Sequence, residues 1–100
     1  MASYRLTPEA RRDLFKIGDF TERKWGRLQR RRYLDQLDRR MAFLAEHPKI
    51  GSPRPEIRPD LRSFREASHL IFYEETDDGI LVARVLHERV QLSRWLRGER

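Results

Sequence analysis

The chain has 100 residues, 38% of them hydrophobic, which is enough for one domain with a modest core. It contains no cysteine, which excludes disulfides and thiolate-bound zinc, and no apolar run approaches the roughly 20 residues that span a bilayer. The sequence therefore predicts a single soluble, cytoplasmic domain over residues 1–100, without membrane contact and with a frayed tail at 93–100.

The charge is unevenly distributed along the chain. Lysine and arginine number 22 against 16 acidic residues, a net charge of +6. The excess is +5 in residues 1–47 (12 basic, 7 acidic) and +3 in 80–100 (5 and 2), whereas residues 48–79 carry −2 (5 and 7). This asymmetry favours an anionic partner, either nucleic acid or an acidic protein segment, over a solvated basic surface without a partner.

The N-terminal half predicts a short strand and two helices. "SYRLT" (3–7) alternates as a strand does, and Thr7 and Pro8 are the N-cap and first position of a helix that Gly26 ends. Its apolar stripe is Ala10, Leu14, Ile17, Thr21 and Trp25. A second helix is predicted from Leu28 to Glu46, antiparallel to the first. Its stripe is Leu34, Leu37, Met41 and Leu44, widened by Tyr33 and Phe43.

The C-terminal half predicts strands. His47-Pro48 ends the second helix, and the proline-rich segment 48–60 is predicted to be neither helix nor strand. Strands follow at 61–66, 69–75 and 80–87, with turns at 67–68 and 76–79. The order strand, helix, helix, strand, strand, strand predicts an α+β fold, an antiparallel sheet with an N-terminal helical hairpin packed on one face.

The last strand predicts which side chains face the helices. Its odd positions, Leu81, Ala83 and Val85, are uniformly apolar and are assigned to the helix side. The even positions Ile80, Val82 and Leu86 would then lie on the second face, with Arg84 among them. Because that face is also apolar, we expect either the segment around Trp95 or a partner to cover it.

Candidate chemistry is limited to arginine and histidine. No metal or cofactor is expected, because the three histidines lack ligand spacing, and no serine lies in a nucleophile motif. Residues at the ends of neighbouring antiparallel strands can converge, which makes an arginine and histidine group a candidate site for phosphate or proton transfer. Its members are Arg62, His69, Arg84, His87, Arg89 and Arg94. The alternative is that they are solvated strand ends.

Several motifs together resemble the ParE branch of the RelE/ParE toxin family. They are "LTPEARRDL", the "WG" at the end of the first helix, "HPKIGSPRPEIRPDLRSF", "HLIFYEE" and "RVLHER". The similarity is collinear over about residues 4 to 92. It implies the same fold, a small sheet with a helical hairpin.

The resemblance also implies a function. ParE-like toxins belong to type II toxin–antitoxin modules, such as those that stabilise plasmids; they inhibit DNA gyrase and arrest growth, and a ParD-like antitoxin neutralises them. The acidic C-terminal segment of that antitoxin wraps the toxin, and the complex binds its own promoter DNA through the antitoxin. RelE-like relatives instead cleave mRNA on the ribosome, which is the alternative function; a decayed homologue without toxicity is a third.

Residue by residue, the resemblance argues against ribonuclease chemistry. The strand arginine of the ribonucleases is His69 here, their arginine after the last strand corresponds to Arg89, and an aromatic residue with a hydroxyl is replaced by Trp95. Lys49 is the sole lysine of the loop. We therefore expect no catalytic residue. If the chain is a ribonuclease, its candidates are His69, His87, Arg89 and Arg62.

Two contact surfaces are predicted. The target-binding surface consists of Arg84, His87, Arg89, Arg94 and Trp95. The antitoxin-binding surface combines the basic start of the second helix with the second sheet face: Arg27, Arg30, Arg31, Leu70, Phe72, Val82 and Leu86.

Overall fold

A computed structural model describes residues 1–90 of the chain, where two helices pack against a five-stranded sheet. The elements are β1 (Ser3–Leu6), α1 (Pro8–Trp25), α2 (Arg27–Glu46), β2 (Ser52–Pro53), β3 (Leu61–Glu66), β4 (His69–Thr76) and β5 (Gly79–His87), with a 3-10 turn at Pro48–Ile50. The predicted α+β class and element order are confirmed. The closing segment that contains Arg94 and Trp95 lies outside the described residues.

The start of α1 is fixed as the sequence predicts. The Thr7 hydroxyl accepts a hydrogen bond from the Ala10 amide at 3.0 Å and donates to the Ala83 carbonyl oxygen at 2.7 Å. The first bond satisfies a free helical N–H group, and the second joins the helix to β5. Gly26, at φ 93°, ends α1 and immediately precedes α2.

Most of the predicted apolar stripes are buried. In α1 the buried members are Ala10, Ile17 and Thr21, and in α2 they are Leu37, Met41 and Leu44. Trp25 was predicted as the last member of the first stripe, but it is exposed and lines a groove beyond the core. Neither helix of the described residues combines the length and apolar character needed to cross a bilayer.

The sheet has the order β1-β5-β4-β3-β2 and is antiparallel from β2 to β5, but β1 runs parallel to β5. This edge departs from the predicted antiparallel sheet. A parallel pair needs a long crossover connection, which the helical hairpin and the strands after it supply. β1 approaches β5 closely, because Ser3 is paired with Gly79 and donates to the Asp78 carbonyl oxygen at 2.9 Å.

A β-bulge in β5 changes which side chains face the helices. Tyr73 lies opposite Val82 and Phe72 opposite Arg84, so that Ala83 is the extra residue. Extra residues of this kind interrupt the alternation of a strand. The helix-side core of the sheet consists of Ile71, Tyr73, Ile80, Val82 and Val85. The second-face core consists of Leu61, Phe72, Ala83 and Leu86.

The predicted alternation in β5 is therefore wrong before the bulge and at the bulge residue itself. Ile80 and Val82 belong to the helix-side core, and Ala83 belongs to the second face. Only the assignments of Val85 and Leu86 are confirmed.

The proline-rich segment is ordered by one buried tyrosine. The Tyr73 hydroxyl accepts from the Gly51 amide and donates to the Pro48 carbonyl oxygen, both at 2.9 Å. The prediction that this segment contains neither helix nor strand is wrong, because the 3-10 turn and β2 lie within it.

The two ends of the sheet differ in charge. Glu74 and Glu75 near the end of β4, with Asp77 and Asp78 in the turn that follows, place four carboxylates within five residues. Along β4, Glu74 is five residues from His69, a distance of about 17 Å, and Asp77 and Asp78 lie beyond the end of the strand. At the end near His69, Trp25 and Gln29 beside the turn between α1 and α2 line a groove together with Lys16.

Candidate functional site

Two histidines meet at the end of β4 and β5 beside the hairpin. His69 and His87 are directly opposite each other in the register, and their ring centroids are 5.4 Å apart in an edge-to-face arrangement. The sequence predicted that strand ends could bring these residues together, and the structure does so.

In each histidine, Nδ1 of the ring takes part in a hydrogen bond. The Tyr33 hydroxyl lies 2.6 Å from Nδ1 of His69, and Nδ1 of His87 accepts from the Arg89 amide at 3.1 Å. Burial, and then the neighbouring His87, lower the pKa of His69 to about 4. His69 is therefore neutral near pH 7, which makes it a poor substitute for an arginine that must carry a permanent charge.

We expect this pKa shift to make folding stability depend on pH. Between pH 6.5 and about 4 the unfolded chain binds a proton at His69 that the folded chain excludes, so stability falls as the pH falls through this window. After allowance for solvent screening the loss is about 1–2 kcal/mol. Urea unfolding of wild type and His69→Gln at several pH values measures it.

In that experiment His69→Gln removes the titrating ring and is expected to flatten the dependence between pH 6.5 and 4. His47→Gln, at the end of α2, is the matched control and should retain the wild-type dependence. Equal pH profiles for wild type and His69→Gln would contradict the assignment of this effect to His69.

Ionic contacts connect the strand ends near the histidines to each other and to α2. Glu66 accepts hydrogen bonds from Arg40 and Gln36 at 2.6 and 2.5 Å, and Arg65 forms an ion pair with Glu88 at 2.9 Å. Arg40 and Gln36 lower the pKa of Glu66 against the opposing effect of its burial. These contacts hold the histidine pair against the helical hairpin.

Arg84, a predicted target-binding residue, is part of the core structure. Its guanidinium donates from Nε and Nη2 to the buried Asp13 carboxylate at 2.8 and 3.0 Å. The same carboxylate accepts from the Val85 amide at 3.0 Å, and this contact joins α1 to the bulge in β5. Arg84 is therefore occupied with a structural contact instead of forming an open cationic surface.

Arg62, a candidate of the ribonuclease alternative, does not join the histidines. It pairs with Tyr73 in the register and donates to the carbonyl oxygens of Lys49 and Gly51 at 3.1 and 2.7 Å. His69 pairs with Glu66, at the other end of β3. The predicted group is thus divided between the two ends of the strand.

An apolar groove of about 550 Å³ lies between the hairpin and the histidine end of the sheet. Its apolar lining includes Ile17, Phe20, Trp25, Val85, Leu86 and Val90. Lys16, Gln29 and Tyr33 are among its polar lining residues. Phe20 was not among the predicted contact residues, although an aromatic residue outside the buried stripe of α1 indicates a surface of this kind.

The predicted antitoxin-binding residues occupy different environments. Arg27 and Arg31 are exposed, and Arg30 forms an ion pair with Glu22 at 2.9 Å. The predicted placement of Val82 on the second face is wrong, because the bulge leaves its side chain fully buried under the helices.

The three remaining members, Leu70, Phe72 and Leu86, lie in or against the second-face core. Phe72 and Leu86 are buried there. Of the predicted target-binding residues, His87 and Arg89 are exposed at the end of β5, whereas Arg94 and Trp95 are outside the described residues. Within residues 1–90, no cluster of three or more histidine, aspartate or glutamate side chains is placed to hold a metal ion.

The fold and the motifs together define a small α+β toxin of a toxin–antitoxin module. The model of the family described as ParE toxin of type II toxin-antitoxin system, parDE, matches residues 4–92. The chain belongs to this family.

Relatives are similar over nearly their whole length. Toxin ParE1 of Mycobacterium tuberculosis (strain CDC 1551 / Oshkosh) is 39% identical over 92 residues, covering 91% of this chain and 94% of the relative. Toxin ParE of Escherichia coli is 38% identical over 93 residues, covering 92% and 90%.

Two solved structures share the fold. One, described as the chromosomal ParDE TA system from P. aeruginosa, has a TM-score of 0.72 at 19% identity and covers 87% of this chain and 96% of that chain. The other is the toxin-antitoxin complex RelBE2 from Mycobacterium tuberculosis, with a TM-score of 0.63 at 25% identity and coverage of 86% and 96%. Both descriptions name toxin–antitoxin systems.

Proposed function

We propose that this ParE-family toxin acts in the cytoplasm by inhibiting DNA gyrase, without catalysing a reaction itself, and that a ParD-like antitoxin neutralises it. The observation that carries the proposal is the ParE-type framework over residues 4–92. The antitoxin would also carry the complex to its promoter DNA, as expected from the family resemblance.

The chemistry at the strand ends supports a binding role. His69 stands where the ribonuclease relatives have an arginine, and its low pKa leaves it uncharged. Arg62 and Arg84 are engaged in internal contacts. His87 and Arg89 are exposed at this end and are suited to contacting an anionic surface of the target.

The proposal predicts that purified toxin inhibits gyrase supercoiling or traps its cleavage complex. His87→Ala and Arg89→Ala should each weaken this inhibition by about tenfold, which corresponds to about 1.4 kcal/mol of contact energy. Arg39→Ala removes an exposed arginine elsewhere on α2 and should leave inhibition unchanged. A supercoiling assay titrated with each variant provides the measurement. Lack of inhibition at large excess, together with rapid loss of mRNA in expressing cells, would contradict the proposal.

One observation favours a RelE-type mRNA interferase as the second candidate. The contact between the His69 and His87 rings places two imidazoles beside the exposed Arg89, and paired imidazoles can move protons in phosphodiester cleavage. This candidate predicts cleavage of translated mRNA that His87→Ala abolishes. Intact transcripts during growth arrest would exclude it.

A further inference from the structure

Two turns meet beside the histidine pair, and one arginine contacts both of them. They are the β3–β4 turn (residues 67–68) and the post-β5 turn (residues 88–90). Arg65 donates from Nε to the Ala67 carbonyl oxygen at 2.9 Å, and its Nη2 lies 2.9 Å from a carboxylate oxygen of Glu88. The guanidinium of Arg65 therefore joins the two turns.

The backbone of the post-β5 turn is held by three further hydrogen bonds. The Glu88 amide donates to the Ser68 carbonyl oxygen at 2.8 Å, and the Val90 amide donates to that of His87 at 2.9 Å. The Arg89 amide donates to Nδ1 of His87 at 3.1 Å. Each amide of the post-β5 turn therefore has an acceptor in the β3–β4 turn or at the end of β5.

These bonds determine which groups the post-β5 turn presents to a partner. Because Nδ1 of His87 accepts a hydrogen bond, the neutral imidazole carries its proton on Nε2 and donates from there. His87 and Arg89 are both exposed, so the Nε2–H group and the guanidinium form a pair of donors two residues apart in the chain. Two such donors suit the oxygen atoms of an anionic group.

The β3–β4 turn has an uncommon backbone conformation that Arg65 supports. Ala67 has φ 53°, in the left-handed region that a residue with a Cβ atom adopts less readily than glycine. Arg65 binds the carbonyl oxygen of this residue, and the next carbonyl oxygen, that of Ser68, accepts from the Glu88 amide. A change in the β3–β4 turn would therefore move the acceptor that holds Glu88.

The ion pair between Arg65 and Glu88 is too exposed to contribute much to folding stability. The Arg65 side chain is 62% exposed and that of Glu88 is 34% exposed. Ion pairs of this kind add little to the free energy of unfolding, because water screens the charges and ordering two long side chains costs entropy. The effect of the contact is instead local, since it restricts the turn that carries Arg89.

We infer that Arg65 is a positioning residue of the target-binding surface, which holds Glu88 and thereby orients His87 and Arg89 toward an anionic group of gyrase. This inference rests on the proposed function, because it takes gyrase as the target and His87 and Arg89 as the contacts. Arg65 acts through Glu88 and does not have to touch gyrase itself.

The test measures gyrase inhibition by full-length toxin variants in the supercoiling assay. Arg65→Gln and Glu88→Gln each remove one partner of the ion pair, the double variant removes both, and Arg65→Lys keeps the positive charge. Arg23→Gln is the matched control, because Arg23 forms an exposed ion pair with Asp19 on α1 at 3.0 Å. Thermal unfolding followed by circular dichroism verifies that each variant is folded.

We expect Arg65→Gln and Glu88→Gln each to weaken inhibition by about three- to tenfold, because a displaced contact is weakened without being lost. The double variant should inhibit no more weakly than either single variant, since both changes break the same contact. Arg65→Lys should retain most of the inhibition, and Arg23→Gln should change it by less than about twofold. Melting temperatures should stay within about 3 °C of the wild type.

A second measurement detects the contact without gyrase. Amide hydrogen exchange at Glu88, whose N–H group donates to Ser68, should become about tenfold faster in Arg65→Gln and remain unchanged in Arg23→Gln. Unchanged exchange in Arg65→Gln would show that Arg65 does not hold the post-β5 turn.

Three outcomes of the inhibition assay would overturn the inference, and they are distinguishable. Full inhibition by Arg65→Gln and Glu88→Gln would exclude a positioning role and leave the proposed function intact. Losses that multiply in the double variant would mean that Arg65 and Glu88 contact gyrase independently. Lack of inhibition by the wild-type toxin would overturn both the inference and the gyrase part of the proposed function.

Discussion

Replacing Asp13 with alanine is expected to lower the free energy of unfolding by about 3 kcal/mol, because the change removes the carboxylate of a buried ion pair. Asp13 is 8% exposed and accepts three hydrogen bonds, two from Arg84 and one from the Val85 amide. The Val85 amide is buried between α1 and β5, where no solvent replaces the lost acceptor. Urea unfolding monitored by circular dichroism measures the change.

Two further variants make this expectation specific. Asp13→Asn keeps the shape and one acceptor oxygen but loses the charge, and we expect an intermediate loss of about 1–2 kcal/mol. Asp19→Ala breaks the exposed pair between Asp19 and Arg23 in the same helix and should cost less than about 0.5 kcal/mol. A loss below about 1 kcal/mol for Asp13→Ala would show that the pair does not join α1 to β5 as described.

Gly79→Ala is the second substitution with a large expected effect, and we expect it to destabilise the fold by about 2–4 kcal/mol through strain and steric clash. Gly79 has φ 149°, and a Cβ atom there would lie 1.8 Å from the Ser3 carbonyl oxygen. β1 must therefore move away from β5 to admit a methyl group. Hydrogen exchange should show faster exchange at Ser3 and Thr7, whose amides donate to Asp78 and Val82.

Gly26→Ala is a matched control for this prediction. Gly26 also has a positive φ, of 93°, but a Cβ atom there would have no atom within 4 Å. Gly26→Ala therefore carries conformational strain without a clash, and we expect a loss of about 1 kcal/mol. If the two alanine variants were equally stable, the close approach of β1 to Gly79 would not determine the effect.

The helices could be predicted from the sequence because their signals are local. Thr7, Pro8 and Gly26 act through capping and backbone geometry within one turn, and Leu37, Met41 and Leu44 recur at helical spacing. Such features depend little on the rest of the chain. Trp25 follows the same spacing as the buried stripe and yet is exposed, since spacing does not reveal where the supporting sheet ends.

The sheet could be predicted only in part because strand faces depend on pairing. A single bulge at Ala83 reverses the alternation of β5, so Ile80 and Val82 point to the helices although the pattern assigned them to the other face. Both faces of β5 are apolar, so the strand lacks the alternating polar residues from which its register could have been predicted.

The candidate site was predictable to a similar extent. The convergence of His69 and His87 follows from strands of matching length joined by a tight turn. Arg84 binds Asp13, which is 71 residues away in the chain, and Arg62 binds the proline-rich segment. Both are tertiary contacts, which no local sequence pattern encodes. The groove forms only where the helical hairpin packs against the sheet. The sequence alone therefore could not identify which residues lie beside Phe20 and Trp25.

Asp77 and Asp78 in the β4–β5 turn and Lys16 in the groove beside His69 lie towards opposite ends of the sheet, so the two ends present different charges. In the electric field of an approaching polyanion, the molecule rotates so that Lys16 and Lys24 face the polyanion and the carboxylates of the turn point away from it. Encounters would then be pre-oriented before any contact forms, and the fraction that are productive would decrease as ionic strength shortens the range of the field. The speed of capture would thus depend on residues of the turn that never touch the captured molecule.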